Sequence, residues 1–310
     1  MDAGIAFKQM LVIFLLILVG WACRRRGIID DDNNKCLSDI MFNVFNPAII
    51  VSGLLNNPAG DRKSVLLSMA GAALMFAMTI IIGEGATRLM SSDRDMRQIY
   101  QLMFVFSNLG FIGIPVVSAL LGSEYIIYVA VFIFEYNVLI YTYGTHLIAP
   151  PSDTEKSLWQ SIRRFINMGT ISSAFAIILF FLQIPLPEIL STAIGYLGDA
   201  AVPVSLIIIG VNIGKEPVVK MFAVPRNYLF CALKLILIPV LEIWMMKKLP
   251  FSDGFLETAA ILMALPTGTM PLVMSIESGV GEKCCSEGII LSTLMSVVTI
   301  PLIVWIYPFL

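Results

Sequence analysis

Apolar runs separated by short polar segments follow one another along the whole 310-residue chain. A run of about 20 apolar residues is long enough to cross the hydrocarbon core of a bilayer as a helix. By this criterion the pattern predicts ten spans, at residues 5–22, 36–55, 64–89, 99–121, 124–148, 168–183, 188–213, 225–247, 256–279 and 285–308. The sequence therefore predicts an all-α polytopic membrane protein with ten transmembrane helices.

Predicted spans four and nine contain residues that a continuous helix tolerates poorly. Residues 108–115 include an asparagine, two glycines and a proline, and residues 264–271 include two prolines, a glycine and two threonines. Because proline lacks an amide hydrogen and clashes with the preceding turn, we expect helical bonding to fail and to free backbone polar groups within the membrane. Two broken helices in matching halves indicate the substrate site of a secondary transporter.

The prolines also predict an internal repeat. Pro47 and Pro203 are 156 residues apart, and so are Pro115 and Pro271, so one gapless shift aligns span two with seven and span four with nine. Because each half holds an odd number of spans, the second half enters the membrane in the opposite direction, as a 5+5 inverted repeat. The predicted units are residues 1–149 (spans one to five), a short cytoplasmic linker at 150–167, and residues 168–310 (spans six to ten).

Composition and charge support this membrane assignment and set an orientation. The chain is 58% hydrophobic and 14% charged, with a mean hydropathy of +0.87. Fourteen of the 20 lysines and arginines fall in or beside the connections after odd-numbered spans, Lys234 lies within span eight, and the other five fall on the opposite side of the predicted spans. Since cytoplasmic connections carry the excess of positive charge, both termini are predicted on the outer side of the cell (plasma or inner) membrane.

The two breaks predict a binding site for an anion. The N-terminal end of a helix carries about half a positive charge and the C-terminal end about half a negative charge. Where two broken helices cross, freed amides can bind a carboxylate and freed carbonyls a cation. The predicted substrate-binding residues are Asn108, Gly110, Gly113, Pro115, Thr267, Gly268, Thr269 and Pro271. The alternative is that Pro115 and Pro271 are ordinary kinks accommodated by neighbouring helices.

The two motifs resemble a known family. Residues 108–115 resemble the fourth-helix motif of the auxin efflux carriers, residues 264–271 with Glu277 are similar to the ninth-helix motif, and Pro203 with Gly210 resembles the seventh helix. The short linker resembles that of bacterial members. The resemblance implies the inverted-repeat fold of bile-acid symporters and sodium/proton antiporters, a homodimer, and elevator-type transport of a small organic anion such as malate or malonate. It also implies a scaffold of spans 1, 2, 6 and 7 and a transport body of spans 3–5 and 8–10.

Several ionisable residues are predicted at membrane depth. Lys234 lies near the centre of span eight, where a charge is costly unless it is paired or faces water. It either contacts substrate or neutralises the C-terminal helix ends in place of a sodium ion. Glu135 and His146 fall on one face of span five, which indicates either a proton path or a buried acid that locks the span to its neighbours. Asp199, close to Pro203, is a gating, interface or structural residue.

The remaining motifs exclude several functions. The five cysteines lack zinc-site spacing, so we expect reduced thiols and no metal site. No phosphate-binding loop, hydrolase elbow or nucleic-acid patch is present, and we expect no cofactor, no nucleic acid and no enzyme activity, with coupling to H+ or Na+ left open. The predicted function is secondary transport of a mono- or dicarboxylate. The alternatives are a ligand sensor that retains the carrier fold, a channel, and a membrane-embedded enzyme, for which a catalytic dyad is missing.

Overall fold

The computed structural model describes residues 3–55, 62–148, 168–182, 186–215 and 224–310. This part of the chain consists of helices and short connections, which confirms the predicted all-α class. The predicted linker at 150–167 lies outside the described residues. In chain order the helices are α1 (Ala3–Arg25), α2 (Asp31–Ile40), α3 (Asn46–Leu55), α4 (Arg62–Met90), α5 (Arg94–Val105), α6 (Ile114–Leu120), α7 (Ile126–Leu139), α8 (Thr145–Ile148), α9 (Met168–Leu182), α10 (Glu188–Lys215), α11 (Pro225–Ala232), α12 (Ile238–Met246), α13 (Asp253–Met263), α14 (Met270–Ser278) and α15 (Glu282–Ile306).

Within the described ranges, seven helical segments are long and apolar enough to cross a membrane. They are Phe7–Arg25, Asp31–Gly53, Arg62–Met90, Ser123–Ile148, Glu188–Lys215, Pro225–Met246 and Glu282–Phe309. These segments make the protein a multi-pass membrane protein. The other three predicted spans, the fourth, sixth and ninth, contain shorter helices, among them the apolar segments Leu109–Leu120 and Thr170–Leu182.

Wide helical turns of the π type accommodate three of the prolines. Proline clashes with the carbonyl four residues before it, and in each case that carbonyl belongs to a π turn, whose bonds reach five residues back and leave more room. Each turn ends two residues before its proline: Met41–Phe45 before Pro47, Leu109–Gly113 before Pro115, and Leu233–Leu237 before Pro239. Pro115 therefore lies inside a helix, and the expected failure of helical bonding occurs earlier, at residues 106–108.

Helices α1 and α10 approach each other so closely that their backbones touch. A Cβ atom added to Gly20 would lie 2.0 Å from the carbonyl oxygen of Ile207, and one added to Gly210 would lie 1.9 Å from that of Ile17. Glycine at these positions lets two helices pack tightly where no hydrophobic effect drives them together. Helix α10 also packs on α3, so spans one, two and seven form one group.

Charged residues tie helix ends together at the edge of this group. Asp31, at the start of α2, contacts Arg24 at 3.1 Å and Lys215 at 2.9 Å, which lie at the ends of α1 and α10. Elsewhere Lys248 lies 3.1 Å from the centre of the Trp244 ring, a pairing typical of the boundary between lipid and water. The fold thus brings Arg24 and Lys215 to one end, in agreement with their predicted location on one side.

Candidate functional site

The first break separates α5 from the helical segment Leu109–Leu120. Helix α5 ends at Val105, residues 106–108 are non-helical, and Asn108 begins the next helical turn. The Asn108 side chain accepts a hydrogen bond from the amide of Phe111 at 3.2 Å. Asparagine is favoured at this position because its side chain replaces a missing helical acceptor. The local sequence therefore starts a new helix in the middle of the span.

The second break lies between α13 and α14 and is in contact with the first. The amide of Asn108 donates to the carbonyl of Pro266 at 2.9 Å, and the amide of Gly268 donates to the carbonyl of Phe106 at 2.9 Å. These bonds form a short antiparallel bridge centred on Ser107 and Thr267. The two non-helical stretches thus pair with each other in the interior of the molecule.

Protein groups occupy the C-terminal end of α5 at this crossing. The Thr267 hydroxyl donates to the carbonyl of Met103 at 3.0 Å. The Lys234 ammonium donates to the carbonyl of Phe104 at 2.6 Å and to the Ser107 hydroxyl at 2.6 Å. Only 2% of Lys234 is exposed, and it does not line the cavity described next. A positive charge at this position offsets the negative end of α5.

The N-terminal ends of the resumed helices face a cavity of about 290 Å³. Among the described residues, the amides of Gly110, Thr269 and Met270 have no hydrogen-bond acceptor. The cavity wall holds no lysine, arginine, aspartate or glutamate among the residues that the structure describes there. Its polar side chains are Asn43, Asn46, Ser107, Asn108, Tyr136, Asn137, Tyr141 and Thr269. The site is thus a neutral cavity into which two positive helix ends point.

The predicted substrate-binding residues divide into two groups. The cavity is lined by Asn108, Gly110, Gly268 and Thr269. The other four, Gly113, Pro115, Thr267 and Pro271, are buried beside the cavity and support its walls. Gly113, for example, packs so closely against Leu265 at the second break that an added Cβ would lie 2.9 Å from the Leu265 side chain.

Of the predicted charge and coupling residues, Glu135, His146 and Asp199 do not line the cavity either. Glu135 is half-buried, and its Oε2 atom has no hydrogen-bond partner within the described ranges. His146 and Asp199 are exposed. The π turn Ile140–Gly144 lies between Glu135 and His146. Its extra residue rotates the following side chains by about 100° relative to a regular helix. Glu135 and His146 therefore do not lie on the common face that a regular helix would give them.

Several cavity residues were absent from the sequence prediction. Asn46 comes from span two, and Asn137 and Tyr141 come from span five. A scan for side-chain amides inside the predicted spans would have found both asparagines, since Asn46 directly precedes the kink proline Pro47. Tyr141 gives no such signal, because tyrosine is common in membrane helices.

Comparison with known proteins identifies the family. Residues 5–304 match the family described as membrane transport protein. An "Uncharacterized transporter" of Methanothermobacter thermautotrophicus is 22% identical and aligns over 95% of this chain and 96% of its own length. A "Putative malonate transporter" of Rhizobium meliloti is 26% identical over 94% of this chain and 92% of its own length. The match confirms the family that the two motifs predicted: the chain belongs to the membrane transport protein family of the auxin efflux carriers and is a membrane transporter.

Proposed function

We propose that the protein is a secondary carrier that moves a small organic anion, a mono- or dicarboxylate, across the cell membrane. The open amides of Gly110, Thr269 and Met270 carry this proposal, because they lie at the positive N-terminal ends of two helices that line one cavity. Free amides at helix N-termini are a general binding site for anions. The relative whose name refers to malonate supports a carboxylate substrate.

The size and polarity of the cavity fit a small polar solute. A volume of about 290 Å³ lies just below the usual range for ligand cavities, about 300–1,000 Å³. The side chains of Asn46 and Asn108 offer both donors and acceptors, which can hold the substituents of a short acid. A large aromatic or lipidic substrate is not favoured.

The proposed architecture consists of ten spans in a 5+5 inverted repeat, with residues 1–149 and 168–310 joined by the linker at 150–167. Spans 1, 2, 6 and 7 would form the scaffold of a homodimer, and spans 3–5 and 8–10 the body that moves. The cavity wall supports an elevator movement, because Asn46 belongs to the scaffold whereas Asn108 and Asn137 belong to the body. Both termini would lie outside.

Lys234 and Glu135 are the residues that bear on the proposed coupling to H+ or Na+. Lys234 already occupies oxygens that a sodium ion would need, which supports transport without Na+ at this position. The half-buried Glu135 alone is the proposed proton carrier, because the π turn rotates His146 off its face, and the exposed Asp199 is a proposed interface residue. Uptake into liposomes at graded pH, with choline in place of Na+, would show whether either ion drives the cycle.

The binding test uses Asn108→Ala. The substitution removes a side-chain amide from the cavity and the cap that orients the helix end, so we expect the affinity for malonate to fall by about tenfold or more, the loss of one hydrogen bond to a charged group. Isothermal titration of the purified protein measures it. Asn33→Ala makes the same chemical change on an exposed helix start and should leave the affinity unchanged.

The titration has a clear contrary outcome. Malonate binding that is equally tight in Asn108→Ala would place the site elsewhere. Counterflow in proteoliposomes, in which unlabelled substrate on one side accelerates uptake of labelled substrate, then separates a carrier from a channel.

A further inference from the structure

We propose that the cavity accepts a ligand with a single negative charge and one hydrogen-bond donor, so that a dicarboxylic acid is transported in its half-protonated form. The inference rests on the proposed function and specifies the charge state of its substrate. Three observations support it: the count of charges at the crossing, the neutral cavity wall, and an unsatisfied acceptor on Asn46.

The helix ends and Lys234 together leave about one positive charge for the ligand. Each helix end carries about half an elementary charge. The C-terminal ends of α5 and α13 together contribute about −1, and the Lys234 ammonium, 2.6 Å from the carbonyl of Phe104 at one of these ends, contributes +1. These contributions cancel. The N-terminal ends at Leu109 and Met270 remain, about +1 in total.

A second negative charge would have no counter-charge in the cavity. The described wall has no lysine or arginine, and its side chains are amides, hydroxyls and apolar groups. The Lys234 ammonium is already bonded to Phe104 and Ser107. A dianion would therefore bring one unpaired charge among mostly buried side chains, which is strongly unfavourable.

The Asn46 side chain indicates that the uncharged part of the ligand must supply a hydrogen-bond donor. Its side chain is 5% exposed and lines the cavity, and its Oδ1 atom has no donor among the described residues. A buried acceptor without a partner is unfavourable, and rotation of the amide would let a donor on the ligand satisfy it. A half-protonated dicarboxylate has such a donor in its COOH group, whereas the dianion has none.

Glu242 lies on the same helical segment as Lys234, which also carries Arg226. It lies eight residues after Lys234, fully buried and outside the cavity, and its Oε1 atom accepts a hydrogen bond from Thr79. Because its charge state would alter the total near the crossing, the variant Glu242→Gln belongs in the test.

The experiment titrates the wild-type protein with four probes between about pH 5 and about pH 8. Malonate changes from monoanion to dianion in this range. Malonamate and monomethyl malonate remain monoanions throughout, and only malonamate keeps a donor in place of the COOH group. Sulfoacetate remains a dianion. Because the two monoanions do not titrate, any change in their affinity reports titration of the protein itself.

The expected result is a constant affinity for both monoanions, with malonamate the tighter of the two. The apparent affinity for malonate should fall by about tenfold for each pH unit above its second ionisation. Sulfoacetate should bind at least about tenfold more weakly than malonamate. Glu242→Gln should leave the pH dependence of malonate binding unchanged.

Two results would overturn the inference and leave the carrier proposal intact: malonate binding that is as tight at pH 8 as at pH 5, or sulfoacetate binding that equals malonamate binding. If no probe binds at any pH, the proposed carboxylate site fails as well. Weaker malonamate binding in Asn108→Ala at every pH would show that the measured binding occurs in this cavity.

Discussion

Buried polar residues outside the cavity hold helices α4 and α12 to each other. The Thr79 hydroxyl of α4 donates to Oε1 of Glu242 in α12 at 2.5 Å, and both side chains are buried. The Oε2 atom of Glu242 has no hydrogen-bond partner among the described residues. A carboxyl group in this environment depends on every donor that it has. The hydrogen bond from Thr79 therefore lowers the free-energy cost of burying the Glu242 carboxyl group between these helices.

Thr79→Val should destabilise the protein, because it leaves both oxygens of Glu242 without a donor. The expected loss is about 1–3 kcal/mol, the cost of an unsatisfied buried polar group. Thermal unfolding in detergent measures it as a lower midpoint. Thr142→Val is the matched control, since the exposed Thr142 hydroxyl donates only to the carbonyl of Val138 in its own helix, and its midpoint should change little. Equal midpoints for the two variants would contradict the role of Thr79.

Among single residues, the sequence revealed the buried Lys234 but not the buried Glu242 or the cavity residues Asn46 and Asn137. Lys234 could be recognised because a charge in the middle of an apolar run is costly and needs a reason. Glu242 was missed because it lies near the predicted end of span eight, where an acid reaches water in most proteins, whereas this one is fully buried. Asn46 and Asn137 carry no charge, and only the packing of spans two and five around the crossing shows that they share one cavity.

The breaks show what a sequence can say about a helix and what it cannot. Glycine, asparagine and proline at residues 108–115 correctly indicated an irregular span, but Pro115 itself lies in a helix, after a π turn. Proline determines which carbonyl loses its partner. Pro115 deprives the carbonyl of Phe111 of its partner, and there the π turn only widens the helix. The chain opens earlier, where residues 106–108 leave the helix and where Thr267 and Lys234 supply donors to the carbonyls of Met103 and Phe104. Such partners from distant elements are not visible in a local pattern.

Helices α1 and α10 give a second prediction, on the contact between their backbones. In Gly210→Ala the new methyl group would lie 1.9 Å from the carbonyl oxygen of Ile17, so the two helices must separate. We expect a loss of about 1–3 kcal/mol, the usual cost of overpacking, seen as a lower unfolding midpoint.

Gly195→Ala is the control on the same helix, because an added Cβ meets nothing within 4 Å there. Alanine is the better helix former by about 1 kcal/mol, so this variant should be as stable as the wild type or more stable. A destabilised Gly195→Ala protein together with an unaffected Gly210→Ala protein would disprove the close contact.

The whole molecule is proposed to work by movement of the body along the scaffold, and a crosslink between them tests this. A Cβ atom on Gly53 of span two would lie 2.7 Å from the Cβ of Ile126 in span five. The two Cβ atoms of a disulfide lie about 3.8 Å apart, so a small shift lets Gly53→Cys and Ile126→Cys form one. Oxidation should stop counterflow in proteoliposomes, and reduction should restore it.

The matched control places a crosslink inside the scaffold. A Cβ atom on Gly198 would lie 2.8 Å from the Oγ of Ser52, so Ser52→Cys with Gly198→Cys joins spans two and seven, which are not proposed to move relative to each other. This pair should transport equally well oxidised and reduced. Full counterflow through the oxidised 53–126 pair would show that the division into scaffold and body is wrong.

The ammonium of Lys234 at the helix end gives the proposed cycle an electrical character. Because this lysine belongs to the proposed body, an empty site would carry its positive charge across the membrane, and a site loaded with one anion would carry almost no net charge. The membrane potential would then act on the empty return step alone, with about 2.3 kcal/mol per charge for each 100 mV. A negative cell interior would draw empty sites to the cytoplasmic face, where they collect anions for export.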